Sequence, residues 1–165
     1  MKEKEINELM MNPFTKIGKQ WCLIGAKHNG KFNAMTASWG GVGVLWNKNV
    51  VTIYVRPQRY TRELIENSDY FTLSFLGEEY RKQLKYYGTH SGREENKEKV
   101  SGLHQEEDGN YAYLREAELV LECKKLYCGN IEKEGILDKS IDTIHYPQKD
   151  YHYIYIGEIT KVLEE

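Results

Sequence analysis

Three cysteines and three prolines are all that the 165 residues contain. The cysteines, Cys22, Cys123 and Cys128, are too few and odd in number for a disulfide framework, and they fit the reduced thiols of a cytoplasmic protein. Cys123 and Cys128 stand five apart in a strand-like run, which points them to opposite faces and argues against a shared metal or disulfide. Excess charge of one sign is also missing: 23 Lys and Arg face 25 Asp and Glu. Without a basic field, nonspecific nucleic-acid binding has little electrostatic support, although a local basic site can still hold a single phosphate. No apolar run reaches the length of a membrane span. The opening MKEKEINELM mixes charges and leads into no apolar stretch, so it does not read as a signal peptide.

Several chemical signatures are absent as well. GGVGVLW has glycines but not the spacing of a dinucleotide loop, and no helical pattern opens at its end. The five histidines are scattered and make no zinc-type array with cysteine. There is no G-x-S-x-G elbow. The common hydrolase and metalloenzyme patterns are therefore excluded.

What is present is a 40% hydrophobic fraction with 13 tyrosines, enough for one core in a single domain over 1–165. Residues 1–12 read as a helical or loose leader with Ile6, Leu9 and Met10 on its apolar side. WCLIGA (21–26) reads as a buried strand ending at the hairpin signal Asn29-Gly30. FNAMTASWG follows with two-residue alternation. Gly40, Gly41 and Gly43 then loosen the chain, and Asn47-Lys48-Asn49 makes a second turn. VVTIYV (50–55) is the clearest strand. Further strands fall at 69–76, 118–131 and 151–163. Helical character falls at 59–68, with Thr61 as N-cap, and at 78–88, ending at Gly88. A short helix is expected before Gly102, and 132–150 reads as a polar connection. Strands joined by short turns argue for a mainly β fold: an antiparallel sheet closing into a barrel with a few peripheral helices.

Two segments could carry chemistry. In YVRPQRYTREL a strand ends at Arg56, Pro57 fixes a turn, and Arg59 and Thr61 stand where a helix begins. Guanidinium forks and a helix start both suit phosphate oxygens, although two surface arginines at a strand end would look the same. Asn33–Trp39 carries small residues, Ala34 and Ala37, that let a flat ring approach the backbone, and Thr36 and Ser38 supply hydroxyls. The same stretch also fits a hairpin strand with Trp39 in the core. It lies one strand before Arg56, which makes the two segments expected sheet neighbours.

The run FNAMTASWGGVGVLWNKNVVTIYVRPQRYTRELIENSDYFTLSFL closely resembles the flavin reductase-like, FMN-binding split-barrel proteins, in particular their flavoredoxin-like branch. The resemblance continues through YYGTHSGREENKEKVSGL and DYHYIYIGEIT and covers about 15–160. It implies a Greek-key split barrel and a homodimer with FMN near the interface. It places the flavin on Asn33, Ala34, Met35, Thr36, Ala37, Ser38 and Trp39. The ribityl phosphate falls to Arg56, Arg59, Tyr60 and Thr61, with Ser91, Gly92, Arg93 and Lys97 contributing nearby. Relatives read G-D-H where this chain has Asp150-Tyr151-His152, which leaves the roles of His152 and of His90 open. The implied activity is oxidoreduction through bound FMN, from NAD(P)H or a protein donor to an acceptor, with no catalytic acid–base pair. A nicotinamide could stack on the exposed ring face, with Trp39, Trp46 or Tyr60 as walls. A non-catalytic flavin-binding or interaction module is the alternative. A nucleic-acid or membrane partner is not expected.

Overall fold

The first residues join the sheet instead of trailing from it. In the computed structural model, which describes all residues Met1–Glu165, β1 (Lys2–Lys4) pairs antiparallel with Val162–Glu164 near the chain's end. Ile6, Leu9 and Met11 pack on the core, whereas Met10 is exposed. The expected leader is thus an edge strand and a turn, because a free strand edge offers its backbone partners. α1 (Pro13–Thr15) follows, capped by the Asn12 side chain, and runs on as a wider turn over Lys16–Gln20.

Asn29 and Gly30 both adopt positive φ, 48° and 72°, as a two-residue hairpin turn of the favoured twist requires. They join β2 (Cys22–His28) to β3 (Lys31–Ala37). The glycine stretch expected to be loose is β4 (Gly40–Leu45), paired in register with β5 (Lys48–Val55). Its turn sits at Trp46-Asn47, both at positive φ, so Lys48 and Asn49 belong to β5. The β-branched β5 supplies a regular edge, and this short turn sets the register that glycine alone would leave open.

α2 (Tyr60–Glu66) has Arg59, not Thr61, at its N-cap position. β6 (Tyr70–Leu76) and α3 (Arg81–Thr89) come next; α3 runs one residue past Gly88. α4 (Lys97–Ser101) is capped by Asn96 and ends at Gly102 in the left-handed conformation. The hairpin β7 (Gln105–Asp108) and β8 (Tyr111–Leu114) leads into the long β9 (Ala117–Asn130). The connection expected to be polar with some apolar anchors contains α5 (Lys139–His145), which buries none of its residues, Ile141 and Ile144 included. β10 (Tyr153–Glu164) completes the sheet.

The strand order is β3-β2-β6-β9-β10-β5-β4, with every pair antiparallel. β3 and β4 are consecutive in the chain yet stand at opposite ends of this path, so Ser38 and Trp39 bridge an open seam. Two-residue alternation sorts the side chains. Cys22, Ile24, Leu119 and Leu121 enter the central core, while Leu23 and Val120 pack outside it with Leu84 and Tyr87 of α3. α3 therefore lies against the outer face of β2 and β3, and its C-terminal end reaches the seam.

Candidate functional site

β3 and the start of α2 meet through one buried hydrogen bond: Asn33 Nδ2 donates to Thr61 Oγ1 at 2.8 Å. Two cations stand beside them. Arg59 donates to the carbonyls of Gly88 (2.8 Å) and Tyr87 (3.3 Å), which the end of α3 leaves free of helical partners. Lys97, buried at the start of α4, donates to the carbonyls of Ala34 (3.0 Å) and Tyr87 (3.2 Å). Neither forms an ion pair with a carboxylate, although Arg56, Arg62 and Arg93 nearby all do. Burial and then the Arg59 charge push the Lys97 ammonium down to about 8, with Glu95 opposing. Burial lowers Arg59 as well. Two desolvated positive charges with no carboxylate partner are an incomplete arrangement, and a dianion would complete it.

These groups line a chamber of about 140 Å³ with Tyr60, Ser91 and Gly92. Gly92 crosses it closely: a Cβ there would stand 2.1 Å from Asn33 Oδ1. A wider cavity of about 690 Å³ opens on the other side of Gly92, past Lys31, Arg93 and Ala34. Met35 and Arg59 also line a third space, a slot of about 230 Å³ between Thr36–Trp39, Tyr54, Arg56, Gly88 and His152. Its walls are aromatic. Trp39 is about half exposed and its ring lies 5.3 Å from the rings of both His145 and His152. A polar chamber for an anion thus adjoins a slot suited to a planar group.

Residues 14–165 match the sequence model of the flavin reductase like domain. The chain belongs to this family. Solved structures of the same fold include a flavoredoxin from Methanosarcina acetivorans, 24% identical, with a TM-score of 0.68 over 88% of this chain and 68% of that one. An FMN-binding protein from Thermus thermophilus is 18% identical, with a TM-score of 0.71 over 100% and 82%. An FMN-binding domain of a flavin reductases-like enzyme from Shewanella baltica is 18% identical, with a TM-score of 0.70 over 98% and 75%. No curated protein matches the sequence. The mainly antiparallel fold with few helices is that of the FMN-binding split barrels.

In this flavin reductase-like chain the expected site residues divide between the three spaces. Asn33, Arg59, Tyr60, Thr61, Ser91 and Lys97 converge on the chamber. Met35, Thr36, Ala37, Ser38 and Trp39 line the slot, and Ala34 turns to the wide cavity instead. Trp39 is a wall and not a core residue. Arg56 does not line the chamber, although Arg59 borders both chamber and slot. Arg56 lines the slot, ion-paired with Asp150 at 2.9 Å and donating to the His145 carbonyl at 2.9 Å. β3 and β5 are not sheet neighbours either, because β5 pairs with β10 and β4; the curl of the sheet brings their ends together across the seam. The Thr36 hydroxyl is committed to the Leu84 carbonyl of α3.

Arg93 sits at the rim of the wide cavity, over the Tyr60 ring, with its charge balanced by Glu63. His90 lines the chamber's edge and stacks on Tyr86 at 4.3 Å. Trp46, exposed at a hairpin turn, lines none of the three spaces. Tyr54 and Gly88 complete the slot without having been read from the sequence. Tyr54 was accessible to reasoning, because it shares the Arg56 face of β5 at a spacing of two. Gly88 was not, since its contact with Thr36, 3.5 Å from an added Cβ, depends on how α3 lies on β3.

Proposed function

We propose that this protein binds FMN and acts as an oxidoreductase of the flavin reductase or flavoredoxin type. It would carry electrons from NAD(P)H or a protein donor through FMN to an acceptor. The observation that carries this reading is the Arg59–Lys97 pair: one half-buried and one buried cation, neither with a carboxylate, in a chamber adjoining a slot that Trp39, Tyr54 and His152 help to line. The donor set fits the group. A phosphate dianion would balance both charges and take hydrogen bonds from Thr61 and Ser91, while Ala37, Ser38 and Trp39 would border the ring.

When bound, FMN supplies the hydride and single-electron chemistry itself. The chain's part is to bind, orient and shield. Arg59 and Lys97 anchor one end, so the ring's position follows from the length between chamber and slot. Backbone N–H groups of the 36–39 stretch would favour negative charge on the ring's polar edge. Trp39, Tyr54 and the β3 backbone limit water at the slot. No acid–base pair is required. We further propose a cytoplasmic homodimer with the site near its interface. The Gly-rich strand β4, paired on one side only, is the edge that a second copy could approach.

The test is the visible spectrum of the purified protein, reconstituted with FMN if colourless, followed by anaerobic addition of NADH or NADPH. A flavin spectrum bleached by the nucleotide supports the reductase form. Bound FMN that nucleotides leave oxidised but a reduced carrier protein bleaches supports the flavoredoxin form. Failure to bind FMN under any of these conditions overturns the reading.

A further inference from the structure

The segment between α5 and β10 reaches the slot through His152 and is held at several points. Tyr146 is buried at the end of α5, with the Arg56 guanidinium 5.2 Å from its ring centroid and the Tyr151 ring at 4.8 Å. Tyr151 in turn donates from its hydroxyl to Asp142 at 2.7 Å, and Arg56 is ion-paired with Asp150. From this fixed position the Tyr146 hydroxyl meets Nδ1 of His152 at 2.7 Å, with both residues buried.

The protons on this contact can be assigned. Burial favours the neutral phenol, so Tyr146 carries a hydrogen that needs an acceptor. Nδ1 is the only partner of the Tyr146 hydroxyl, so it is the acceptor for the phenol hydrogen. A neutral imidazole that accepts at Nδ1 carries its own hydrogen on Nε2. Nε2 has no partner within the chain, and His152 lines the slot between Trp39 and Arg56.

We propose that Tyr146 is a positioning residue that holds His152 as a neutral imidazole with its Nε2–H open to the slot, where it serves as a donor to a ring carbonyl of a planar ligand. The ligand's identity as FMN rests on the functional reading above; the state of His152 does not. The surroundings favour the neutral ring. Burial first, then the charge of Arg56 and the neighbouring His145, push the His152 pKa down to about 4, while Asp150 opposes them. Tyr151, between Asp150 and His152, places an aromatic ring against Tyr146, while Asp150 pairs with Arg56.

The experiment begins with the cofactor-free protein. Long-range proton–nitrogen spectra of 15N-histidine report tautomer and charge directly. Wild-type His152 is expected as the Nε2–H form, without titrating, from roughly pH 5.5 to 8. Tyr146→Phe keeps the ring volume and removes the donor; a mixture of tautomers and a titration midpoint moved upward are expected. An Nδ1–H form in the wild type, or a Tyr146→Phe spectrum identical to it, overturns the proposal. A second arm measures FMN dissociation constants. Tyr146→Phe and His152→Ala are each expected to weaken binding by about fivefold, and the double variant by no more than His152→Ala alone. Additive losses would show Tyr146 acting independently of His152 and would overturn the positioning role. If FMN binds to none of these proteins, the functional reading falls, and the spectra still decide the state of His152.

Discussion

Replacing Lys97 with Met separates the two consequences of burying an ammonium group beside a guanidinium. In the folded protein Lys97 is pushed down from 10.5 to about 8, chiefly by burial and then by Arg59. The folded state therefore holds this proton less tightly than the unfolded chain. The cost to stability is complete below about pH 8, roughly 3 kcal/mol, and is relieved as pH rises from there towards 10.5. Met has similar length and no charge to desolvate. It leaves the Ala34 carbonyl without its donor, at about 1–2 kcal/mol, while the Tyr87 carbonyl keeps Arg59. The cofactor-free variant should thus be more stable than the wild type at pH 7 by about 1–2 kcal/mol. Between pH 7 and 9.5 the wild type should recover about 2 kcal/mol relative to the variant, since the other titrating groups are common to both. Urea unfolding of both proteins at the two pH values measures each quantity. In the same variant FMN should bind about 30-fold more weakly, the loss of one charge-assisted contact of about 2 kcal/mol. A variant less stable at pH 7, with a gap that does not change at 9.5, would refute the view of Lys97 as a strained cation. Unchanged FMN affinity would remove Lys97 from the phosphate site.

Arg59→Ala should raise the FMN dissociation constant more than tenfold, from a lost contact of about 1.5–3 kcal/mol, whereas Lys48→Ala, which breaks only an exposed pair with Glu158, should leave it unchanged. Equal constants in a fluorescence titration would contradict the anchoring role. Gly157→Ala should destabilise the fold by about 2 kcal/mol, because the added methyl would stand 2.6 Å from the Phe71 ring and 3.0 Å from Cys123 Cβ. A thermal melt matching the wild type would show that this part of the core can yield. Glu122 is fully buried with neither carboxylate oxygen hydrogen-bonded, and burial, then Asp108, push it up to about 7, with Lys161 opposing. A raised carboxyl costs stability as pH climbs from about 4.5 through 7. Glu122→Gln should therefore stabilise the protein at pH 8 by about 2 kcal/mol and have little effect at pH 5. A difference that does not change with pH in urea unfolding at the two values would exclude the buried charge as its source.

The strands were legible where an apolar or alternating run met a strong turn signal, as in β2 and β3, or where β-branched residues dominated, as in β5. Arg59 and Thr61 were legible as a pair because a strand, a proline turn and a helical pattern occur in immediate succession. Other features depended on tertiary placement. Of the charged residues between Arg93 and Lys99, only Lys97 turns inward, and nothing in that run distinguishes it from its neighbours. Arg56 and Arg59 stand three apart around a turn, and only Arg59 reaches the chamber while both border the slot. α5 and Tyr146 left no trace in the hydrophobic pattern, since the helix is an exposed cap whose position is fixed by polar contacts. The acidic β7 offers no apolar alternation either: its strand is held by charge pairs such as Lys27–Glu107 and Lys161–Asp108 in place of apolar burial.

β10 is the last strand along the chain, and it lies in the middle of the sheet, between β9 and β5. Until its dozen residues arrive, β5 and β9 each present a long open edge, and the two halves of the barrel have no common boundary. Synthesis thus delivers the keystone after every other strand of this sheet. Nearly the whole chain must wait in an incompletely paired state, with the loop-closure cost of the β1–β10 contact still to be met. The seam that houses the candidate site is defined by the two ends of the same strand path, so it takes shape only when that central strand locks in. Binding competence is in this sense a report on the completion of folding, and a ligand held across the seam would draw its affinity from a closure that no earlier segment can provide.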